Sequence, residues 1–512
     1  MPSPDVYYET SAGLHWIDGT VIVAYISGML ALGAYYNRRQ NSVDEYFVGN
    51  RGMPPLLIGI SLFATLMSTI SYLSSPGEII KYGPYMLAGV LAIPVSYVLV
   101  AYVIIPKFMQ YRLTSAYELL EMKLGLEVRL LGATMFIVLR LVWMAVLLNF
   151  AAHALLVMLD LDEMWLFPVT AGIGAVAIAY SSMGGLRAVV ITDFVQFLLL
   201  FGGAVLVMAT VTIHFGGFDW FPTEWQPHWK KQKLFSFNPD DRLTILGVIA
   251  MQSLWTVCTA GSDQTAVQRY MATSDAKAAR KAYLINSLAS LAVGIVMTCM
   301  GLSLMAFFNA HVEALPDGES VYSAADTLFP RYISHHLPVG LSGLVVSAMF
   351  AAAMSSIDSG VNSISAVVMT DFIDRFRTTS LSENVRVRVA QLLAVTVGVI
   401  VVGSSGLIEL VPGNLLEVAK RTTGLLVTPL FTLFFLAIFV RFATPAGAIS
   451  GSLCGFAIAV VIAFWNPLFS EDSVTITWIN PLAFTVSMSI GCGVSWLTHR
   501  PNTVNTPDQD SA

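Results

Sequence analysis

Ser355, Asp358, Ser359 and Asn362 recur at i, i+3, i+4 and i+7, so they share one face of a helix. Ala352, Ser356 and Ser363 accompany them in an otherwise apolar stretch. A row of hydroxyls with a carboxylate is a hard, oxygen-rich donor set, suited to Na+ and not to a soft transition metal. A small-residue packing seam accounts for the Ala and Ser but not for Asp358. A second acid, Asp193, sits in Ile191-Thr-Asp-Phe-Val-Gln196. It reads equally as a cation ligand or as a group paired with a neighbouring donor. Arg140, within Val138-Leu-Arg-Leu-Val-Trp143, suits bidentate capture of a carboxylate and equally the neutralising of a buried acid. Two further stretches are rich in Ser and Thr and weakened by Gly or Pro. One runs from Ser61 to Ser71 and on through Ser74-Ser-Pro-Gly-Glu78; the other spans Gln252 to Gln264.

The elements that carry these groups are set by composition. Of 512 residues, 56% are apolar and only 12% are Asp, Glu, Lys or Arg, and the mean hydropathy is +0.70. Soluble domains carry about 25% charged residues. The chain is therefore read as an all-α polytopic membrane protein, and about thirteen stretches are long and apolar enough to span a bilayer. Two of these cover 165–182 and 188–213. In such a setting an unpaired carboxylate at mid-depth costs about 2.5–3.5 kcal/mol, which makes Asp358 and Asp193 candidates for function. Eighteen of the 27 Lys and Arg fall in loops on one side of the predicted spans and six on the other. The positive-inside rule then places the N-terminus outside and the C-terminus in the cytoplasm, in a plasma or bacterial inner membrane. The first fourteen residues hold no Lys or Arg, so no cleaved signal is expected. Lys420 and Arg421, near the outer end of a span, read as snorkelling side chains.

The net charge of -6 gives no footprint for nucleic acid. Cys258, Cys299, Cys454 and Cys492 lie unpaired in apolar runs and read as packing residues. His153 has no evident partner, and no ATP-binding or catalytic signature is present. Uphill transport would thus draw on an ion gradient. The two Ser/Thr-rich stretches stand five spans apart, which is how inverted-repeat transporters place broken helices around a midplane site. For any single serine, a bond back to its own helix competes with that reading.

Several segments resemble the sodium:solute symporter family. The most specific is Gly261-Ser-Asp-Gln-Thr-Ala-Val-Gln-Arg269, similar to the family's D/NQxxxQR segment through Asp263, Gln264, Gln268 and Arg269. Glu45-Tyr-Phe-Val-Gly-Asn-Arg51, Tyr180-Ser-Ser-Met-Gly-Gly-Leu-Arg-Ala188 and Thr192-Asp-Phe-Val-Gln196 support it. The resemblance implies a LeuT-type core of five plus five inverted helices. On that scheme residues 1–53 hold an extra helix and a cytoplasmic loop, 54–213 the first repeat and 214–242 an extracellular loop. Residues 243–440 hold the second repeat, and 441–512 two final helices and a short tail.

The resemblance also implies sites. A sodium site would use the carbonyls of Ala64, Met67 and Ala352 with the hydroxyls of Ser355 and Ser356. A second, found in some members only, would use Asp193, Ser355, Asp358 and Ser359; Asp358 departs from the usual Ser or Thr. The solute would sit around Thr65, Ser68, Ser71, Thr256 and Thr259, with Arg140 available. Sugar-transporting members differ at Ser71, Thr256, Thr259 and Ser290, whereas Ser61–Glu78 and Leu113–Glu121 resemble the monocarboxylate, iodide and vitamin branch.

The expectation is a Na+-coupled symporter importing a small organic solute, preferably a carboxylate, by alternating access. Its partners would be the solute, Na+ and the bilayer, with no organic cofactor and no nucleic acid. Alternatives are a sodium/sugar-type symporter, for glucose, galactose or sialic acid, and a transporter-like sensor. The sensor would need a soluble partner, since about a dozen polar residues follow the last span. An intramembrane enzyme would need a nucleophile or metal constellation that the sequence lacks.

Overall fold

The computed structural model describes residues 14–37, 42–67, 69–236, 244–315, 318–379, 381–411, 415–469 and 478–499. Ser68 and the side chain of Lys420 lie outside the described residues. Among those described there are helices and connecting turns but no strands. A backbone in hydrocarbon must satisfy its own N–H and C=O groups, which the apolar runs do by coiling.

In chain order the helices are α1 (Trp16–Asn37), the short α2 (Val43–Val48), α3 (Pro55–Leu66), α4 (Thr69–Tyr82) and α5 (Pro84–Phe108). Next come α6 (Glu118–Leu124), α7 (Leu126–Met158), α8 (Leu166–His214), α9 (Ile245–Ser262) and α10 (Gln264–Met271). They are followed by α11 (Ala276–Ala310), α12 (Ala325–His336), α13 (Leu341–Phe376) and α14 (Glu383–Leu410). Last are α15 (Leu415–Phe439), α16 (Pro445–Ala463) and α17 (Ile479–Thr498).

Among the described residues eleven helices are long and apolar enough to cross a membrane, and α3 with α4, bent by 59°, makes a twelfth span. The expected thirteen differs because 165–182 and 188–213 fall in one helical run, α8. At about 1.5 Å per residue its 49 residues would extend roughly 74 Å, more than twice a hydrocarbon core of about 30 Å. Gly185 resolves this: its φ of 59° and ψ of -176° are non-helical and divide the run. Counted as two, α8 restores thirteen.

Both Ser/Thr-rich stretches break. α3 ends at Met67, whose ψ of 112° is extended, and α9 ends at Asp263, whose ψ of 123° is extended too. Central to the molecule is α13, whose apolar stretch is 94% buried, against 17% for α1. It packs on α8, α7 and α1. α1 also supplies its cap: the buried carboxylate of Asp18 accepts from the backbone N–H groups of Gly340 (2.7 Å) and Gly343 (2.8 Å). A carboxylate there satisfies otherwise orphaned N–H groups and favours the positive end of the helix dipole. The four cysteines are free, and His153 Nδ1 lies 3.1 Å from the Asn149 carbonyl one turn back.

Candidate ion and solute sites

Ending a helix at Met67 leaves its last carbonyls without N–H partners further along. Phe63 O accepts from Met67 N. The next two are met by α13: Ser355 Oγ donates to Ala64 O at 2.8 Å, and Ser356 Oγ donates to Thr65 O at 3.2 Å. Ser355 Oγ also lies 3.4 Å from Ala352 O. Ala64, Ala352 and Ser355 therefore meet directly, Ser356 engages the adjoining carbonyl, and Met67 forms the break itself. These carbonyl and hydroxyl oxygens are the ligand chemistry of a hard cation.

Beside them lies a buried charge network that the sequence did not indicate. The guanidinium of Arg269, fully buried, donates to Ser61 Oγ (2.8 Å), Asp193 Oδ2 (3.2 Å), Ser359 Oγ (2.6 Å) and Thr265 O (2.9 Å). A resident cation thus stands between Asp193 and Ser359, two of the four residues read as a second sodium site. Asp358 accepts instead from Tyr180 OH at 2.6 Å and from Ser359 Oγ at 3.2 Å. Ser355, the fourth, turns to Ala64. Thr65 joins this cluster through a 2.9 Å bond between its hydroxyl and that of Ser359.

The other motif residues tie α10 to its surroundings. Gln264 accepts from Ala116 N and donates to Thr114 O, both at 2.7 Å. Gln268 donates to Phe47 O (2.6 Å) and Asn362 Oδ1 (2.9 Å) and accepts from Ser363 Oγ (2.7 Å). Asp263 caps α10 by accepting from Thr265 N, and its other oxygen takes the Arg140 guanidinium at 2.5 Å. Arg140 is thus neutralised by an acid of the second broken helix rather than by Asp193 or Asp358.

A cavity of about 320 Å³ opens at the two breaks. Met67, Ser71, Thr256 and Thr259 line it, with Glu78 of α4 and the amides of Gln252 and Asn286. Thr65 and Arg140 are not on its wall. The sequence reading missed Trp143 and Tyr270, which are; an aromatic residue within a span, or on a short helix between two spans, carries no signal of its own.

Each end of this core is laced. The carbonyl of Ile80, near the end of α4, accepts from His228 Nε2 (2.9 Å) and Trp229 Nε1 (3.1 Å). The Trp229 indole lies over Gly83, whose φ of +91° and 3.1 Å clearance at the Cβ position admit no side chain. At the opposite end Arg129 bridges Asp371 (2.6 Å) and Glu121 (2.5 Å), and Arg375 also pairs with Glu121. Hydrogen bonding from Arg375, then Arg129, holds the Glu121 carboxyl below its ordinary range.

The model of the sodium:solute symporter family matches residues 46–455. The sodium/sialic acid symporter SiaT of Proteus mirabilis is 30% identical over 470 residues, covering 88% of this chain and 89% of that protein. Sodium-coupled monocarboxylate transporter 1 of Mus musculus is 29% identical, covering 86% and 73%. Among solved structures, the substrate-bound outward-open state of a Na+-coupled sialic acid symporter superposes with a TM-score of 0.80 at 27% identity, over 94% of this chain and 98% of that one. Mhp1, a nucleobase-cation-symport-1 transporter, shares the fold at a TM-score of 0.54 and 11% identity. The chain belongs to the sodium:solute symporter family, a multi-pass membrane transporter with a LeuT-type core and not an enzyme.

Proposed function

We propose that the protein is a Na+-coupled symporter for an acidic, hydroxylated solute of the sialic acid kind, working by alternating access. The observation that carries this is the shared break at Met67. The carbonyls three and two residues before it receive Ser355 and Ser356 respectively, while Leu66 and Met67 themselves line the cavity. An ion held by the carbonyls of Ala64, Met67 and Ala352 and the hydroxyls of Ser355 and Ser356 would fix the end of α3. That would fix one wall of the solute cavity as well. Binding of either partner then favours the other, and the coupling must be reciprocal.

The acidic-sugar reading draws on the relatives and on the Ser, Thr, Asn and Gln side chains of the cavity wall. It unites the carboxylate and sugar expectations in one molecule. A small monocarboxylate is the second reading, favoured by the mouse relative. A second Na+ at Asp193, Ser355, Asp358 and Ser359 would share Asp193 with Arg269, so Asp358 is the carboxylate left to hold it. With the orientation given by the loop charges, entry of Na+ releases about 2.3 kcal/mol per 100 mV, before its concentration gradient is counted. On this proposal the repeats would cover 54–213 and 243–440, each containing one of the two breaks.

Calorimetry on the purified chain tests the coupling. Na+ should tighten sialic acid binding, K+ should not, and sialic acid should tighten Na+ binding by the same factor. Equal solute affinity in Na+ and K+ would overturn the proposal.

A further inference from the structure

A buried polar atom without a partner costs free energy, so the atoms a cavity wall leaves unpaired describe what fills it. Four wall residues carry a buried polar atom with no hydrogen-bond partner among the described residues: Ser96 Oγ, Trp143 Nε1, Thr259 Oγ1 and Tyr270 OH. They come from four helices, α5, α7, α9 and α10, and Thr259 and Tyr270 flank the break at Asp263. All four bear an N–H or O–H. Hydroxyls donate or accept, but an indole N–H only donates.

Behind Trp143, one turn back on α7, the Arg140 guanidinium carbon lies 5.9 Å from the indole ring. Arg140 Nε is a further buried donor without a partner among the described residues. Its NH2 group is held by Asp263 and by Thr265 Oγ1 at 2.7 Å. This side of the cavity therefore presents one obligate donor, the indole N–H, and hydroxyls free to donate, in front of an ion pair whose charges cancel. The α4 wall differs, because Glu78 places a carboxyl there.

We infer that Trp143, Thr259 and Tyr270 determine specificity by receiving the carboxylate of the solute, whose hydroxyl and amide N–H groups then face Glu78. The inference rests on the symport reading and assigns an orientation within its cavity. A carboxylate offers about four lone-pair positions to these donors. A carboxamide in the same place would set an N–H against the indole N–H. A neutral hexose would leave the donors to compete with its own hydroxyl hydrogens.

The test compares N-acetylneuraminic acid with its C1-carboxamide, by calorimetry on the purified chain in Na+ buffer. The unaltered protein should prefer the acid by well over tenfold. Tyr270→Phe and Trp143→Phe should each lower that preference about tenfold by weakening the acid alone, with the Na+ half-saturation unchanged. Tyr72→Phe removes another unpartnered buried hydroxyl, one that is not on the cavity wall, and should leave the preference intact. An unchanged acid-to-amide ratio in both cavity variants overturns the inference. So does a chain that binds a neutral hexose but neither N-acetylneuraminate nor pyruvate, although Na+ coupling would survive that result. Failure of the symport reading looks different: the acid binds equally in Na+ and K+, whatever the ratio.

Discussion

Replacing Ser355 by alanine isolates the contribution of one hydroxyl. In the structure that hydroxyl donates to Ala64 O at 2.8 Å within a fully buried contact between α13 and the end of α3. The substitution leaves the carbonyl without its side-chain donor and removes one of five proposed oxygens around Na+. A lost buried hydrogen-bonding partner is worth about 1–3 kcal/mol. At roughly 1.4 kcal/mol per tenfold, the Na+ concentration for half-maximal uptake should rise between about fivefold and 150-fold. Ser347→Ala is the matched control: Ser347 is equally buried on the same helix but donates to its own backbone, at Gly343 O, 2.8 Å away. Both variants should lose thermal stability, and only Ser355→Ala should lose Na+ affinity. Uptake of labelled sialic acid into proteoliposomes across a Na+ titration measures this. Equal Na+ shifts in the two variants, or a shift below twofold at Ser355, would reduce the serine row to helix packing.

Three further outcomes are expected. Asp263→Asn leaves the Arg140 guanidinium buried without its counter-ion and should cost about 3–5 kcal/mol of stability; in a double-mutant cycle, Arg140→Met combined with Asp263→Leu should cost less than either alone. Burial, then the neighbouring His335, holds His336 down to about 4. The unfolded chain, near 6.5, therefore binds a proton that the folded one refuses, so thermal stability should fall as pH drops from about 6.5 to 4, by at most about 3 kcal/mol, and His336→Phe should flatten that slope. Trp229→Ala empties the space over Gly83 and removes one of the two donors to the Ile80 carbonyl, leaving His228; hydrogen exchange in α4 should rise, with solute affinity falling more than Na+ affinity.

Spans and chemistry-bearing residues differ in how far they could be read from sequence. The spans follow from apolar length, which any window of about 20 residues reveals, and the spacing of Ser355, Asp358, Ser359 and Asn362 is a local property of one helix. Partnerships are not local. Arg269 lies 76 residues from Asp193, and Arg140 lies 123 from Asp263. The sequence showed that acids and an arginine were buried together but not which pairs with which. The short helices α2, α6, α10 and α12 escaped for the opposite reason, being too short or too polar to stand out as spans. Trp143 and Tyr270 look like packing residues until their unpaired N–H and O–H groups are seen on a cavity wall. Gly185 shows the limit of span counting: two apolar stretches can be one helical run divided by a single residue.

The most direct measurement imposes ion gradients on proteoliposomes holding the purified chain at equal internal and external sialic acid. With high Na+ outside and K+ inside, labelled sialic acid should accumulate above its external concentration, and collapsing the Na+ gradient should release it. Accumulation driven equally by a K+ gradient, or mere equilibration under every gradient, would contradict Na+-coupled symport.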